Sequence, residues 1–299
     1  MERRHFGPPW PELPGRTTPP VLAAAGSVLG VIRMAAAIVA LCLVGSAACV
    51  VAPFLDTGGP GRRARRFRLA SFRIVLAATG ARVVETGRRP DRPALVVSNH
   101  YGWLESLAFG ALVAPAFTAF ARGWPLVGFL MRRFGTLDVP RSGNGALGPV
   151  VAAAASALRA GTTVWVYPEG ATSFGPGTLP FRPAFFQAAI DAGAPVAVAS
   201  FRFETDPPWP SPERVAHWVD WTSILTHAYR LFSVPRIRIL VRWDGWLART
   251  GDRKAMAADA RRMCEEGLAA LSEESGSTAE PGRAAGTSRK DTSAAIIGP

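Results

Sequence analysis

The stretch Ala94 to Leu107, ALVVSNHYGWLESL, holds in its shortest form the unit from which the chain is built. Its apolar run, Ala94 to Ser98, reads as a buried strand, and Asn99-His100 ends it. Glu105 follows five positions after the histidine, at the start of a helical pattern. A short turn that folds back here brings His100 and Glu105 together, and an imidazole oriented by a carboxylate is the minimum equipment of a general base. The pair alone does not separate that reading from a surface histidine beside a solvated glutamate.

Working outward, the same alternation recurs. Strand-like runs fall at Val83-Glu85, Ala94-Ser98, Phe117-Ala121, Thr136-Val139, Thr163-Tyr167, Val196-Phe203 and Ile237-Trp243. Helical patterns lie near 64–79, 103–113, 125–134, 146–160, 180–193 and 253–272. Strands that alternate with helices predict an α/β sandwich whose sheet is largely buried. The expected organisation is a disordered arm over 1–20, a membrane anchor over 21–56, a catalytic domain over 57–272 and a disordered tail over 273–299.

The anchor rests on composition. From Val21 to Leu55 the only charge is Arg33, and Met34 to Leu55 has none. A hydrocarbon core of roughly 30 Å needs about 20 apolar residues in a helix. A single span and a hairpin embedded in one leaflet both fit, and a signal peptide fits less well because its apolar region is shorter and nearer the N-terminus. GRRARRFR follows, with Arg62, Arg63, Arg65, Arg66 and Arg68, and outweighs Arg16 and Arg33 on the other side. By the positive-inside rule the domain lies on the cytoplasmic face. Each basic residue near anionic lipid contributes about 1 kcal/mol of attraction.

The chain carries 34 Lys+Arg against 22 Asp+Glu, a net charge of +12, which calls for an anionic partner. No aromatic-interleaved basic strand or zinc module supports nucleic acid. The membrane accounts for the basic patch. The three cysteines, Cys42, Cys49 and Cys264, form neither a disulfide framework nor a metal spacing, which implies a reducing compartment and no metal.

Three further stretches carry chemistry. Gly135 to Arg141, GTLDVPR, is a strand ending in a guanidinium suited to bidentate phosphate binding. Tyr167 to Ser173, YPEGATS, ends a strand in a tight turn with backbone and hydroxyl donors, and Gly193 to Ala199, GAPVAVA, is a proline-led strand. Each has a plain structural reading: a surface ion pair for Arg141, a helix cap for Glu169, a strand start for Pro195-Val196. Taken in order and with the Asn-His motif, they resemble the four motifs of the glycerolipid acyltransferases, the lysophosphatidate acyltransferase family. The likeness extends through WPLVGFLMRRFGTLDVPRS, FRPAFFQAAIDAGAPV and RIRILVRWDG, and covers about Met34 to Leu271.

The resemblance implies a mixed sheet flanked by helices, and an enzyme that moves an acyl group from acyl-CoA or acyl-carrier protein to the hydroxyl of a lysophospholipid, foremost 1-acylglycerol-3-phosphate. It implies no cofactor or metal. His100 becomes the general base and Glu105, where the family has aspartate, its orienting carboxylate. Arg141, Glu169, Gly170, Thr172 and Arg182 become acceptor-binding, and Pro195-Val196 the floor of the site or the acyl channel. Ala171 replaces the family's usual threonine, which opens a second acceptor class, lyso-aminolipids. An inactive lipid-binding relative is the non-enzyme alternative.

Two rival motifs have less support in the sequence. Gly143-Asn144-Gly145-Ala146-Leu147-Gly148 matches a dinucleotide glycine pattern, but the strand before it is short and ends in Pro140-Arg141. A serine-hydrolase elbow, Gly-x-Ser-x-Gly, is absent. Ser98 and Ser106 read as structural, and His217 and His227 as interface or packing residues. Trp209, Trp218 and Trp221 fit either a lipid interface or the core.

Overall fold

The computed structural model describes residues 20–51, 54–56, 61–119, 125–139, 147–175, 177–207, 209–219, 223–248, 250–278 and 295–297. Eight strands form a mixed sheet: β1 (Ala81–Gly87), β2 (Leu95–Val97), β3 (Ala116–Ala119), β4 (Leu137–Asp138), β5 (Val164–Val166), β6 (Val196–Thr205), β7 (Ile237–Trp246) and β8 (Ala295–Ile297). Their order is β4-β3-β5-β2-β6-β7-β1-β8. The strands from β4 to β6 run parallel to one another, β7 and β1 run the other way, and β8 lies antiparallel to β1.

The helices are α1 (Pro20–Val51), α2 (Arg62–Thr79), α3 (Leu104–Val113), α4 (Pro125–Arg133), α5 (Leu147–Arg159), α6 (Phe186–Ala192), α7 (Pro212–Val215), α8 (Ile224–Phe232) and α9 (Arg253–Thr278). They cover both faces of the sheet. Val96, Ala197, Phe201 and Phe203 face α2, α3 and α8 through Leu76, Phe109, Leu112 and Leu231. Leu95, Val97, Val196 and Val198 face α5, α6 and α9 through Val150, Leu158, Phe186, Met256 and Cys264. Period-two alternation along β2 and β6 therefore feeds two cores, which is why these strands read as unbroken apolar runs.

All seven expected strands are present at or near their expected positions. The tail differs from expectation in two places: α9 runs beyond Ser272 to Thr278, and Ala295–Ile297 pairs with β1. Helical hydrogen bonding carries α9 past the last buried apolar position, Leu271, and the free edge of β1 accepts a short apolar strand. The arm, Met1 to Pro19, lies outside the described residues.

Over Ala25–Val51, α1 is long and apolar enough to cross a membrane. One side of it packs on the domain. Ala40, Val44 and Ala48 meet Val75 of α2, Leu130 of α4 and Phe134 just after it, while Gly26 and Gly30 let α1 approach Trp209 and, at the end of α8, Tyr229 and Ser233. The other side leaves Val28, Val31, Ile32, Ile38, Val39, Leu43 and Val50 exposed.

Candidate active site

The site is built where β2 ends. Asn99 fixes that end to β6: its amide nitrogen donates to Phe201 O at 2.9 Å, and its oxygen accepts from Phe201 N at 3.0 Å. The chain then turns through His100, Tyr101 and Gly102 into α3, whose first turn contains Glu105. A carboxylate is favoured at a helix N-terminus, where backbone N–H groups have no partner within the helix. Glu105 is fully buried. Its Oε1 takes the backbone N–H of Gly102 at 2.8 Å and of Tyr101 at 3.2 Å, and lies 2.7 Å from His100 Nδ1. Two fixed backbone donors thus aim one carboxylate oxygen at the imidazole. With Nδ1–H donating to Glu105, the lone pair sits on Nε2.

The His100 ring is one-fifth exposed and stacks on Tyr167, with centroids 4.1 Å apart. The Tyr167 hydroxyl pairs with Ser106 Oγ at 2.8 Å, and burial pushes that phenol well above its ordinary pKa, so it stays neutral. Below the histidine, Glu169 is buried. Its Oε1 accepts from His100 N and its Oε2 from Leu179 N, both at 2.8 Å. Desolvation pushes the Glu169 carboxyl up to about 7 against the pull of these hydrogen bonds.

A second layer braces the turn. Tyr101 stacks on His217 at 4.4 Å, Tyr101 O accepts from Trp218 N, and Trp103 Nε1 donates to His227 Nδ1 at 3.0 Å. A side chain at Gly102 would press on Ala216 O at 3.0 Å. Glycine is needed there for the 216–218 segment to pass so close.

Comparisons with known proteins bear on the domain and the fold. The family model described as Acyltransferase matches residues 66–202. The 1-acyl-sn-glycerol-3-phosphate acyltransferase of Neisseria meningitidis serogroup B is 36% identical over 154 residues, 50% of this chain and 60% of that protein. The Lyso-ornithine lipid O-acyltransferase of Pseudomonas aeruginosa is 30% identical over 162 residues, 54% of this chain and 61% of that protein. The chain thus spans about 60% of the length of these curated relatives. The crystal structure of the 1-acyl-sn-glycerophosphate (LPA) acyltransferase PlsC from Thermotoga maritima has the same fold, with a TM-score of 0.63 at 17% identity, over 84% of this chain and 98% of that one. Residues 66–202 are therefore an acyltransferase domain by sequence, and the chain is similar to glycerolipid acyltransferases.

The structure brings together His100, Glu105, Glu169, Gly170 and Arg182. The Arg182 guanidinium lies over Gly170: a Cβ there would sit 3.1 Å from its Cζ, and Gly170 also has φ +71°. Arg182 N donates to Pro168 O, which ties the exposed arginine to the turn.

Three expected placements change. Both Glu169 oxygens accept from backbone N–H groups, so this side chain holds the His100 loop in place. Thr172 Oγ1 donates to Trp218 O at 2.8 Å, which leaves only its lone pairs for a ligand. Pro195-Val196 lies beside Leu95 at the start of β2, the opposite end of that strand from His100, and Val196 packs in the core. It is a strand start. Arg141, Trp221 and residues 143–146 of the glycine pattern lie outside the described residues.

Ser98 and Ser106 are structural as expected, bonded to Trp165 and Tyr167. Sequence reasoning missed Tyr167 and Asn99. Both stand inside quoted motifs, yet neither titrates near neutrality, and a search for acids and bases passes over them. Among the described residues, no three His, Cys, Asp or Glu side chains converge as a metal site would require.

Proposed function

We propose that this chain is a membrane-bound O-acyltransferase that moves a fatty acyl group from acyl-CoA or acyl-carrier protein to the hydroxyl of a lysophospholipid, foremost 1-acylglycerol-3-phosphate. One observation carries the reading: the 2.7 Å contact from His100 Nδ1 to a buried carboxylate that is itself aimed by two backbone amides. His100 Nε2 takes the proton of the acceptor hydroxyl as its oxygen attacks the thioester carbonyl. The tetrahedral intermediate collapses, the C–S bond breaks, and the thiolate leaves with the proton carried by the imidazolium. Glu105 holds the tautomer and offsets the charge that forms on the ring. No acyl-enzyme is needed, because the thioester is already activated.

Arg182 over the Gly170 turn, together with Arg141, is the acceptor's phosphate clamp in this reading, and the Thr172 lone pairs accept from a glycerol hydroxyl. The exposed aliphatic face of α1 and the exposed Arg62, Arg63, Arg65 and Arg66 support seating on the anionic cytoplasmic leaflet. Ala171 and the relative named for lyso-ornithine lipid support a second acceptor class, a lyso-aminolipid. The test is purified full-length protein with labelled acyl-CoA and acyl-carrier protein against a panel of lyso-lipids. His100→Ala is expected to abolish transfer and leave vesicle binding intact. Unchanged transfer in that variant rejects the base, and no transfer by the wild type to any acceptor rejects the enzyme.

A further inference from the structure

A cavity of about 810 Å³ opens away from the acyl-transfer site, where β1 and β7 begin and β6 ends. It shares the His100 end of the sheet, because β2 runs parallel to β6. Two to three strand spacings and several residues along β6 separate the two places, on the order of 15 Å. Five arginines line the cavity, Arg33, Arg73, Arg82, Arg236 and Arg238, against a single carboxylate, Asp206.

Some of these guanidinium groups are committed and others are not. Arg33 donates to Val234 O at 2.7 Å and Pro235 O at 2.8 Å, and Arg238 pairs with Asp206 at 3.0 Å and Glu204 at 3.3 Å. Arg236 reaches Asp206 only at 3.8 Å. Arg73 uses Nε alone, on Ala111 O, and Arg82 is exposed with no partner among the described residues. Like charges gathered in a concavity repel one another and focus a positive field into it. An anion with several acceptor oxygens relieves that repulsion, and phosphate fits the planar fork of guanidinium. The wall is also apolar: Ile74, Leu76, Ala77 and Ile237 line it, and Ile74 is half exposed.

We propose that this cavity is a second anion site, distinct from the acyl-transfer site, which takes the phosphate group of a ligand with an apolar part. A phospholipid headgroup and a free phosphate share this chemistry. The test is calorimetric titration of the full chain in neutral detergent with two probes, dihexanoyl phosphatidate below its micelle concentration and inorganic phosphate. Arg73→Gln/Arg82→Gln is compared with Arg88→Gln, which alters an arginine that is 89% exposed and outside the cavity.

The double variant is expected to lose one equivalent of phosphatidate, or to bind it at least about tenfold more weakly, since charge-assisted hydrogen bonds to the phosphate are removed. Arg88→Gln is expected to bind as the wild type does. Loss of both probes in the double variant supports the site with phosphate as the recognised group, and loss of phosphatidate alone supports it with the lipid as ligand. Arg236→Gln serves as a second variant and is expected to weaken binding in the same direction if the double variant folds poorly. Phosphatidate binding that is undetectable in the wild type, or equal in all variants, overturns the proposal. Neither result bears on His100.

Discussion

Glutamate at 105 adds one methylene to the aspartate of the family's pattern, and the turn accommodates it by giving one oxygen all the work. Oε1 receives Nδ1 and two backbone amides, while Oε2 is buried with no hydrogen-bond partner among the described residues. The side chain is therefore held by position, and in the proposed reaction its charge matters when the imidazolium forms. Glu105→Gln is expected to lower kcat by about 10²–10⁴-fold. Glu105→Asp is expected to retain most of that factor at a smaller cost, because the charge remains and only reach is lost. Steady-state rates of the two variants side by side check this, and a Gln variant as active as wild type removes the dyad. Glu169 makes a different prediction. Its folded pKa, about 7, lies above its unfolded value, so the folded state holds the proton more tightly. Its contribution to stability is thus complete below the unfolded pKa and is lost as pH rises through about 7, by roughly 3 kcal/mol. Urea unfolding of wild type and Glu169→Gln across pH 5 to 8 is expected to show the widest gap at the acidic end, narrowing toward neutrality. A gap independent of pH contradicts the shift.

Among the elements, α1 shows how a stretch that reads as an anchor also serves as a buttress. Arg33, the single charge in its apolar run, donates to the carbonyls that follow α8, where a helix end leaves acceptors unmet. Gly30 packs so tightly that a Cβ would lie 2.4 Å from Ser233 Oγ and 3.1 Å from the Tyr229 ring. Gly30→Leu is therefore expected to lift α1 from α8, at a cost of about 1–3 kcal/mol for forcing bulk into a closed contact. Hydrogen exchange checks it: amides of 224–234 are expected to lose protection while those of β5 keep theirs. The sequence made this helix legible through its length and lack of charge. It did not reveal which side was buried, because aliphatic and small residues mingle along the run and the sorting depends on α2, α4 and α8, far away in the chain. The same limit governs the site. His100 and Glu105 are five residues apart and could be paired on paper, whereas Glu169 reaches the His100 amide across 69 positions. Its backbone partners gave no sequence signal, so an acid in a tight turn looked like a ligand for substrate.

At the scale of the whole molecule, the proposed function requires three surfaces to work together: the outward face of α1, the arginines of α2 and the end of the sheet that carries His100. Because α1 packs lengthwise on the domain from Gly26 to Ala48, its exposed aliphatics form a stripe along the protein's side. A helix that crossed the bilayer alone would be free of the domain on all sides, whereas a stripe backed by the domain suits a bilayer surface that the protein lies against. Such seating brings the domain to the lipid phase from which a lyso-lipid acceptor comes, and the exposed α2 arginines add attraction to anionic headgroups. The two contributions respond differently to salt. Burying a leucine-sized side chain is worth about 1.5–3 kcal/mol and is not screened, whereas the arginine attraction fades over a Debye length of about 8 Å at physiological ionic strength. Leu43→Glu, on the exposed stripe, is expected to weaken partition into neutral vesicles by about tenfold or more at any salt concentration. Arg62→Gln/Arg63→Gln is expected to weaken binding only to vesicles with anionic lipid, with the loss vanishing in high salt. Vesicle co-sedimentation of both variants, each with an unchanged melting midpoint, separates the two contributions. If Leu43→Glu partitions like the wild type, the bilayer meets another face of the molecule, and α1 is a buttress alone.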